Sequence, residues 1–91
     1  MKSYRNLIVW QKSMVLVTMI YKFTVKLPNE EKFGLISQIK RSAISVPSNI
    51  AEGYCRNYRK DYSRFLQIAR GSLFENQTQL EIAVNLSFIL A

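Results

Sequence analysis

Apolar residues recur at helical spacing from one end of this chain to the other, and only two Pro and three Gly interrupt them. That pattern constrains the fold more than any other feature. Leu7, Trp10, Met14, Val17, Tyr21 and Thr24 follow one another at alternating steps of three and four, a stripe with the heptad period. Ile8, Val15 and Leu16 widen it, so the first helix must touch more than one neighbour. Leu35, Ile39, Ser42, Val46 and Ile50 repeat the pattern, as do Tyr62, Phe65, Ala69, Ser72, Asn76, Ala83 and Leu90, with Leu66, Leu73, Leu80 and Val84 alongside. So few turn residues rule out a sandwich or barrel of many short strands. The expectation is a single all-α domain with helices over residues 4–26, 29–52 and 58–90, packed as an up-and-down antiparallel bundle.

The punctuation sets the boundaries. Leu27-Pro28 ends the first helix, because the residue before Pro avoids the helical region. Pro28 suits a first helical position, Asn29 is the alternative N-cap, and Glu30 and Glu31 complement the positive end of the second helix. Pro47 lies inside the second pattern. The periodicity stays in phase through Ile50, which favours a kink at Pro47 over a separate short helix capped by Ser45. Gly53 reads as the residue just past the helix end and Asn57 as the next N-cap.

Composition removes whole classes of chemistry. The 91 residues include no His and one Cys, which excludes an imidazole base, a His-ligated metal, an internal disulfide and a thiolate zinc cage. The six carboxylates are scattered, and the adjacent pair Glu30–Glu31 would not share a helical face. Neither an enzyme nor a cofactor is expected. No apolar run approaches the ~20 residues that span a bilayer, and no leader with a cleavage site is evident. A cytoplasmic protein is expected, and its unpaired Cys55 fits a reducing compartment.

The net charge of +7 is unevenly placed. Residues 1–26 carry +5 and no acid, residues 27–52 balance, residues 53–70 carry +4, and residues 71–91 carry −2. The run from Tyr54 to Phe65 interleaves Arg56, Arg59, Lys60 and Arg64 with aromatics, and Arg70 follows one turn later. Guanidinium groups grip phosphate and Tyr rings offer stacking surfaces, a pairing suited to RNA or single-stranded DNA. The alternative is a solvated helix start whose aromatics serve the core. Tyr62 and Phe65 fit the core, while Tyr54 and Tyr58 fit either role. Trp10 reads as a packed anchor.

A polar stripe on the second helix comprises Gln38, Arg41, Ser45, Asn49 and Glu52, and the third helix carries Ser72, Glu75 and Gln79 on one face. Two readings share the spacing. One is a solvated face. The other is a buried network with Arg41 near the level of Glu75, serving register rather than catalysis.

Ser45-Val46-Pro47-Ser48-Asn49-Ile50-Ala51-Glu52-Gly53, preceded by Gly34-Leu35-Ile36-Ser37-Gln38-Ile39-Lys40-Arg41, resembles the hallmark of a bacterial four-helix-bundle family. That family is named for reading frames inside intervening sequences of 23S ribosomal RNA genes. Val9-Trp10-Gln11 and the run Phe65-Leu66-Gln67-Ile68-Ala69-Arg70-Gly71-Ser72-Leu73-Phe74-Glu75 extend the likeness over nearly the whole chain. The resemblance implies a four-helix plan assembled into a ring, commonly a pentamer. Its relatives include the accessory variability proteins of diversity-generating retroelements, which bind nucleic acid and a reverse transcriptase. It assigns motif roles to Trp10, Gln38, Arg41, Ser45, Pro47, Asn49, Glu52, Gly53, Ser72 and Glu75, and no catalytic role to any residue. Against that plan the chain reads as one helix short, with the fourth absent or truncated, so a homo-oligomer is expected to complete the core. The leading functional expectation is a non-enzymatic, oligomeric nucleic-acid-binding module using Arg56, Arg59, Lys60, Arg64 and Arg70. The alternative is a protein-interaction module, such as an accessory partner of a reverse transcriptase.

Overall fold

The computed structural model describes residues 3–89, and among these it contains three α-helices and no strand. Helix α1 spans Ile8–Thr24, α2 spans Leu35–Cys55 and α3 spans Arg59–Asn85, with short 3-10 turns at Tyr4–Asn6 and Asn29–Glu31. The molecule measures 45 × 22 × 21 Å. The central helix is α2, which packs on both others, whereas no Cα of α1 comes within 8 Å of a Cα of α3.

The α2–α3 pair is antiparallel. Ile39 and Ser42 meet Asn76 and Gln79, Ser45 meets Ser72, and Gly53 meets Phe65, so partners descend α3 as α2 ascends. Helix α1 is likewise antiparallel to α2: Tyr21 lies beside Lys40, and Tyr4 and Trp10 share a pocket with Pro47 and Ala51. The core has two parts. Ile20, Leu27, Ile36, Ile39, Ala43 and Ala83 form the larger, which Leu16, Phe23, Leu80 and Phe88 flank. Val46, Ile50 and Ala69 form the smaller, with Leu7, Trp10 and Leu66 against it. Ile39 is fully buried, an environment that stabilises a side chain of its size by about 1.5–3 kcal/mol.

The structure revises several sequence expectations. Of the α1 stripe, Thr24 is buried and Leu7, Trp10 and Val17 are half-buried as expected, whereas Met14 and Tyr21 are exposed and Ser13 and Ile20 are buried in their place. The two hydroxyls are tolerated because each bonds back to its own helix, Ser13 Oγ to Trp10 O at 2.7 Å and Thr24 Oγ1 to Tyr21 O at 3.1 Å. The second α-helix begins at Leu35 rather than Asn29, after the 3-10 turn and a loop that closes at Gly34, where φ and ψ are both −108°. Pro47 is buried inside α2, and the helix continues past it to Cys55.

Gly53 is not the helix terminator. It lies within α2, and a Cβ there would sit 2.5 Å from Phe65 Cβ, so a side chain at this position would drive α3 away. The terminating role falls to Asn57, whose φ of 66° is left-handed and which Asn adopts more readily than other non-Gly residues. Tyr58, not Asn57, then occupies the N-cap of α3.

Helix α3 ends at Asn85 rather than near residue 90. Ser87 is left-handed at φ 61°, its N–H bonds Val84 O, and the Phe88 N–H bonds Ala83 O, each at 2.9 Å. This is the paired-bond Schellman geometry, and it turns Phe88 and Ile89 back onto the core. Leu90, placed on the third stripe by its spacing, lies outside the described residues.

Candidate nucleic-acid interface

The basic residues singled out from the sequence collect on the outer side of α3. At 3.6 residues per turn, Arg59, Lys60, Arg64 and Arg70 fall within an arc of roughly 140°. All four are exposed, and Phe65, Ala69 and Asn76 bury the opposite side. From Arg59 to Arg70 the track is about 16 Å long. Arg56, at the end of α2, forms the only ion pair among the described residues, 2.9 Å to Glu52. That hydrogen bond raises its guanidinium pKa further above the ordinary value, so Arg56 stays charged but is partly committed to a neighbour. The Arg56 and Arg64 guanidinium groups also lie 5.1 and 4.9 Å from the centre of the Phe65 ring, and Arg70 lies 5.5 Å from that of Phe74. Among described residues, Arg59 and Lys60 have no carboxylate partner.

The aromatics of this region divide. Phe65 is buried and Tyr62 half-buried, as core residues should be. Tyr54 joins them, its ring edge-on to Tyr62 at 5.8 Å. Tyr58 stands out into solvent.

The motif residues form a seam rather than a pocket. Ser45 Oγ and Ser72 Oγ are 2.7 Å apart, and Asn49 Nδ2 donates to Ser45 O and Oγ at 2.8 and 2.9 Å. One turn along, Asn76 Nδ2 donates to Ile39 O at 2.9 Å and to Ser42 Oγ at 3.0 Å, and Ser42 Oγ lies 2.8 Å from Gln79 Oε1. Every buried side-chain N or O atom among the described residues has a partner. The buried Arg41–Glu75 arrangement does not form: both residues, and Gln38, are exposed. The interior network is uncharged, because Ser, Asn and Gln satisfy one another there without the desolvation cost of an ion pair. Glu52 faces outward to Arg56. Trp10 is the packed anchor expected, half-buried and edge-on to Tyr4 at 5.2 Å.

The two grooves beside α1 differ in chemistry. On one side Leu16, Met19, Ile20 and Phe23 face Leu80 and Val84 across an apolar trough of about 430 Å³, with Ile89 at its edge. On the other, Tyr21, Lys32, Phe33, Lys40 and Arg41 line a groove with α2 that holds no carboxylate. Sequence reasoning missed this second groove. The charges of residues 27–52 sum to zero, and only the fold shows that Lys32, Lys40 and Arg41 share a face that Glu30, Glu31 and Glu52 do not line. The legible signal was Phe33, a large apolar residue outside every stripe.

A model of the 23S rRNA-intervening sequence protein family matches residues 5–91. The chain belongs to that family. The match covers all three helices, so the residues of the seam and of both grooves lie within the matched domain. No curated protein matches the chain significantly. Among the described residues no cluster of three or more His, Cys, Asp or Glu side chains is placed to hold a metal ion, and no helix is long and apolar enough to cross a membrane. Cys55 is exposed at the last residue of α2.

Proposed function

We propose that this member of the 23S rRNA-intervening sequence protein family is a non-enzymatic, oligomeric helical bundle that binds nucleic acid, RNA or an RNA/DNA hybrid, in the cytoplasm. One observation carries the reading: Arg59, Lys60, Arg64 and Arg70 form an exposed track along α3, and among described residues none of them is paired with a carboxylate. Arg56 extends the track, and the basic α1 adds to the field that would draw in a polyanion. The family's name, which ties it to ribosomal RNA genes, favours RNA over DNA. Titrating labelled RNA at two salt concentrations tests the proposal. Four to five neutralised phosphates give an affinity loss of about 50- to 130-fold on a single strand between 50 and 200 mM salt. Binding that is absent at low salt, or indifferent to salt, overturns it.

A second reading, a protein-interaction module with a reverse transcriptase or another protein as partner, is favoured by the apolar trough between α1 and α3. We assign that trough to a second copy of the chain, which supplies the fourth-helix position of the bundle. The trough carries one charge, Glu81 on its α3 wall, and α1 carries Lys12 and Lys22 and no acid, so a copy's α1 would bring cations toward Glu81. The resemblance to ring-forming relatives favours a pentamer, and light scattering gives the subunit count. Changing Arg59, Lys60 and Arg64 together to Ala separates the two readings: RNA binding falls while self-association stays. Metal-dependent cleavage lost on changing Glu52 or Glu75 would contradict the non-enzymatic assignment.

A further inference from the structure

The groove between α1 and α2 lies on the side of α2 turned away from α3, so it is physically separate from the α3 track. Part of its lining serves the fold, since Ile36 is in the core and Lys40 meets Tyr21 across α1 and α2, but Phe33 has no such role. Phe33 is 91% exposed, the most exposed of the large apolar side chains among the described residues, and it belongs to neither core cluster. Lys32 Nζ lies 5.7 Å from the centre of that ring. Lys40 Nζ lies 4.7 Å from the centre of the Tyr21 ring, and Tyr21 is 40% exposed. Arg41 completes the lining, and among described residues none of the three cations has an ion-pair partner. The nearby Glu31 carboxylate is turned instead toward the Leu35 N–H at the start of α2, 3.4 Å away.

Beyond Ile44 the groove continues into a second hollow walled by Trp10 and Tyr4, with Arg5 4.7 Å over the Tyr4 ring. From Ile36 to Ala51 this is about 22 Å of α2. That is room for roughly four to six nucleotides at 3.4 Å or more apiece.

We propose that the α1–α2 groove binds single-stranded nucleic acid, with Phe33 and Tyr21 as stacking platforms for unpaired bases and Lys32, Lys40 and Arg41 as phosphate contacts. Alternating cations and accessible ring faces suit a strand whose bases are splayed out, and a paired duplex offers no free base face. An acidic peptide would satisfy the cations but leave the rings without a partner. The inference rests on the nucleic-acid reading above and goes beyond it in naming the strandedness and a second site.

The test compares a labelled ~10-nucleotide single-stranded RNA with its duplex, by fluorescence anisotropy at low salt. Because Phe33 is exposed, Phe33→Ala leaves the fold intact, and thermal melts verify this. It is expected to weaken single-strand binding about tenfold while leaving duplex binding within about twofold. Lys40→Gln with Arg41→Gln should weaken single-strand binding at least as much. If both variants bind the single strand as the parent does, while the Arg59/Lys60/Arg64 triple Ala variant has lost affinity, the groove proposal is overturned and the α3 reading stands. If the parent binds neither RNA, both fall. Displacement of the single strand by polyglutamate as readily as by unlabelled RNA also overturns it, since the groove would then read charge alone.

Discussion

The α2–α3 seam and the α1–α3 trough are both lined by long helices, yet they are built oppositely. The seam is close because its residues are small or polar: at Gly53 a Cβ would sit 2.5 Å from Phe65 Cβ, and Ser42, Ser45, Ser72, Asn76 and Gln79 bond across. The trough is wide and apolar, with Met19 exposed on its wall and no hydrogen bond across it among the described residues. A helix pair locked by geometry and directional bonds needs no third party. A pair separated by open apolar surface is unfinished in water. The seam closes within the chain, whereas the trough leaves an apolar face open to solvent.

Substitutions can break that contrast. Gly53→Val should have the largest effect, since its Cβ falls 2.5 Å from Phe65 Cβ. A loss of about 2–3 kcal/mol in urea unfolding is expected from overpacking, despite the better helix propensity. Asn76→Ala comes next. It strips Ile39 O and Ser42 Oγ of a buried donor, with an expected loss of about 1–3 kcal/mol and a visible drop in Tm. Met19→Ser, in the trough, should change monomer stability by no more than about 0.5 kcal/mol yet shift light scattering toward smaller species. Finally, Arg56→Ala should leave Tm unchanged, because its pair with Glu52 is solvent-exposed on both sides. A measurable drop in Tm there would mean that the surface, and not only the seam, fixes the fold.

The helical plan was legible because burial on one face leaves a period in the sequence, and the stripes Leu35–Ile50 and Phe65–Ala83 are buried or half-buried much as that period requires. The α1 stripe was right at Leu7, Trp10, Val17 and Thr24 but took in exposed Met14 and Tyr21 and left out Ser13 and Ile20; Ser13 hides its hydroxyl in the helix's own carbonyl, a device invisible to hydropathy. The ends of α2 and α3 depended on left-handed Asn57 and Ser87; Asn has only a mild preference for that region and Ser none, so the spacing could not announce them. Of the candidate site, the Arg59–Arg70 track was legible as a charge run within one helix. The groove of Lys32, Lys40 and Arg41 was not, because it joins α2 to Tyr21 of α1, and sequence distance carries no record of that meeting.

The close approach at Gly53 also bears on how the chain finds its fold. Gly53 and Phe65 are near in sequence, and only the turn around Asn57 separates their helices. Sliding α3 by one helical turn would set Asn49, four residues before Gly53 on the same face, against Phe65, and its side chain does not fit where a bare Cα does. The hairpin is therefore expected to choose its alignment at the turn and propagate it outward, a local search that proceeds on a microsecond-to-millisecond scale. Helix α1 would dock afterwards onto a surface already set, and its amides should exchange with solvent before those of the hairpin.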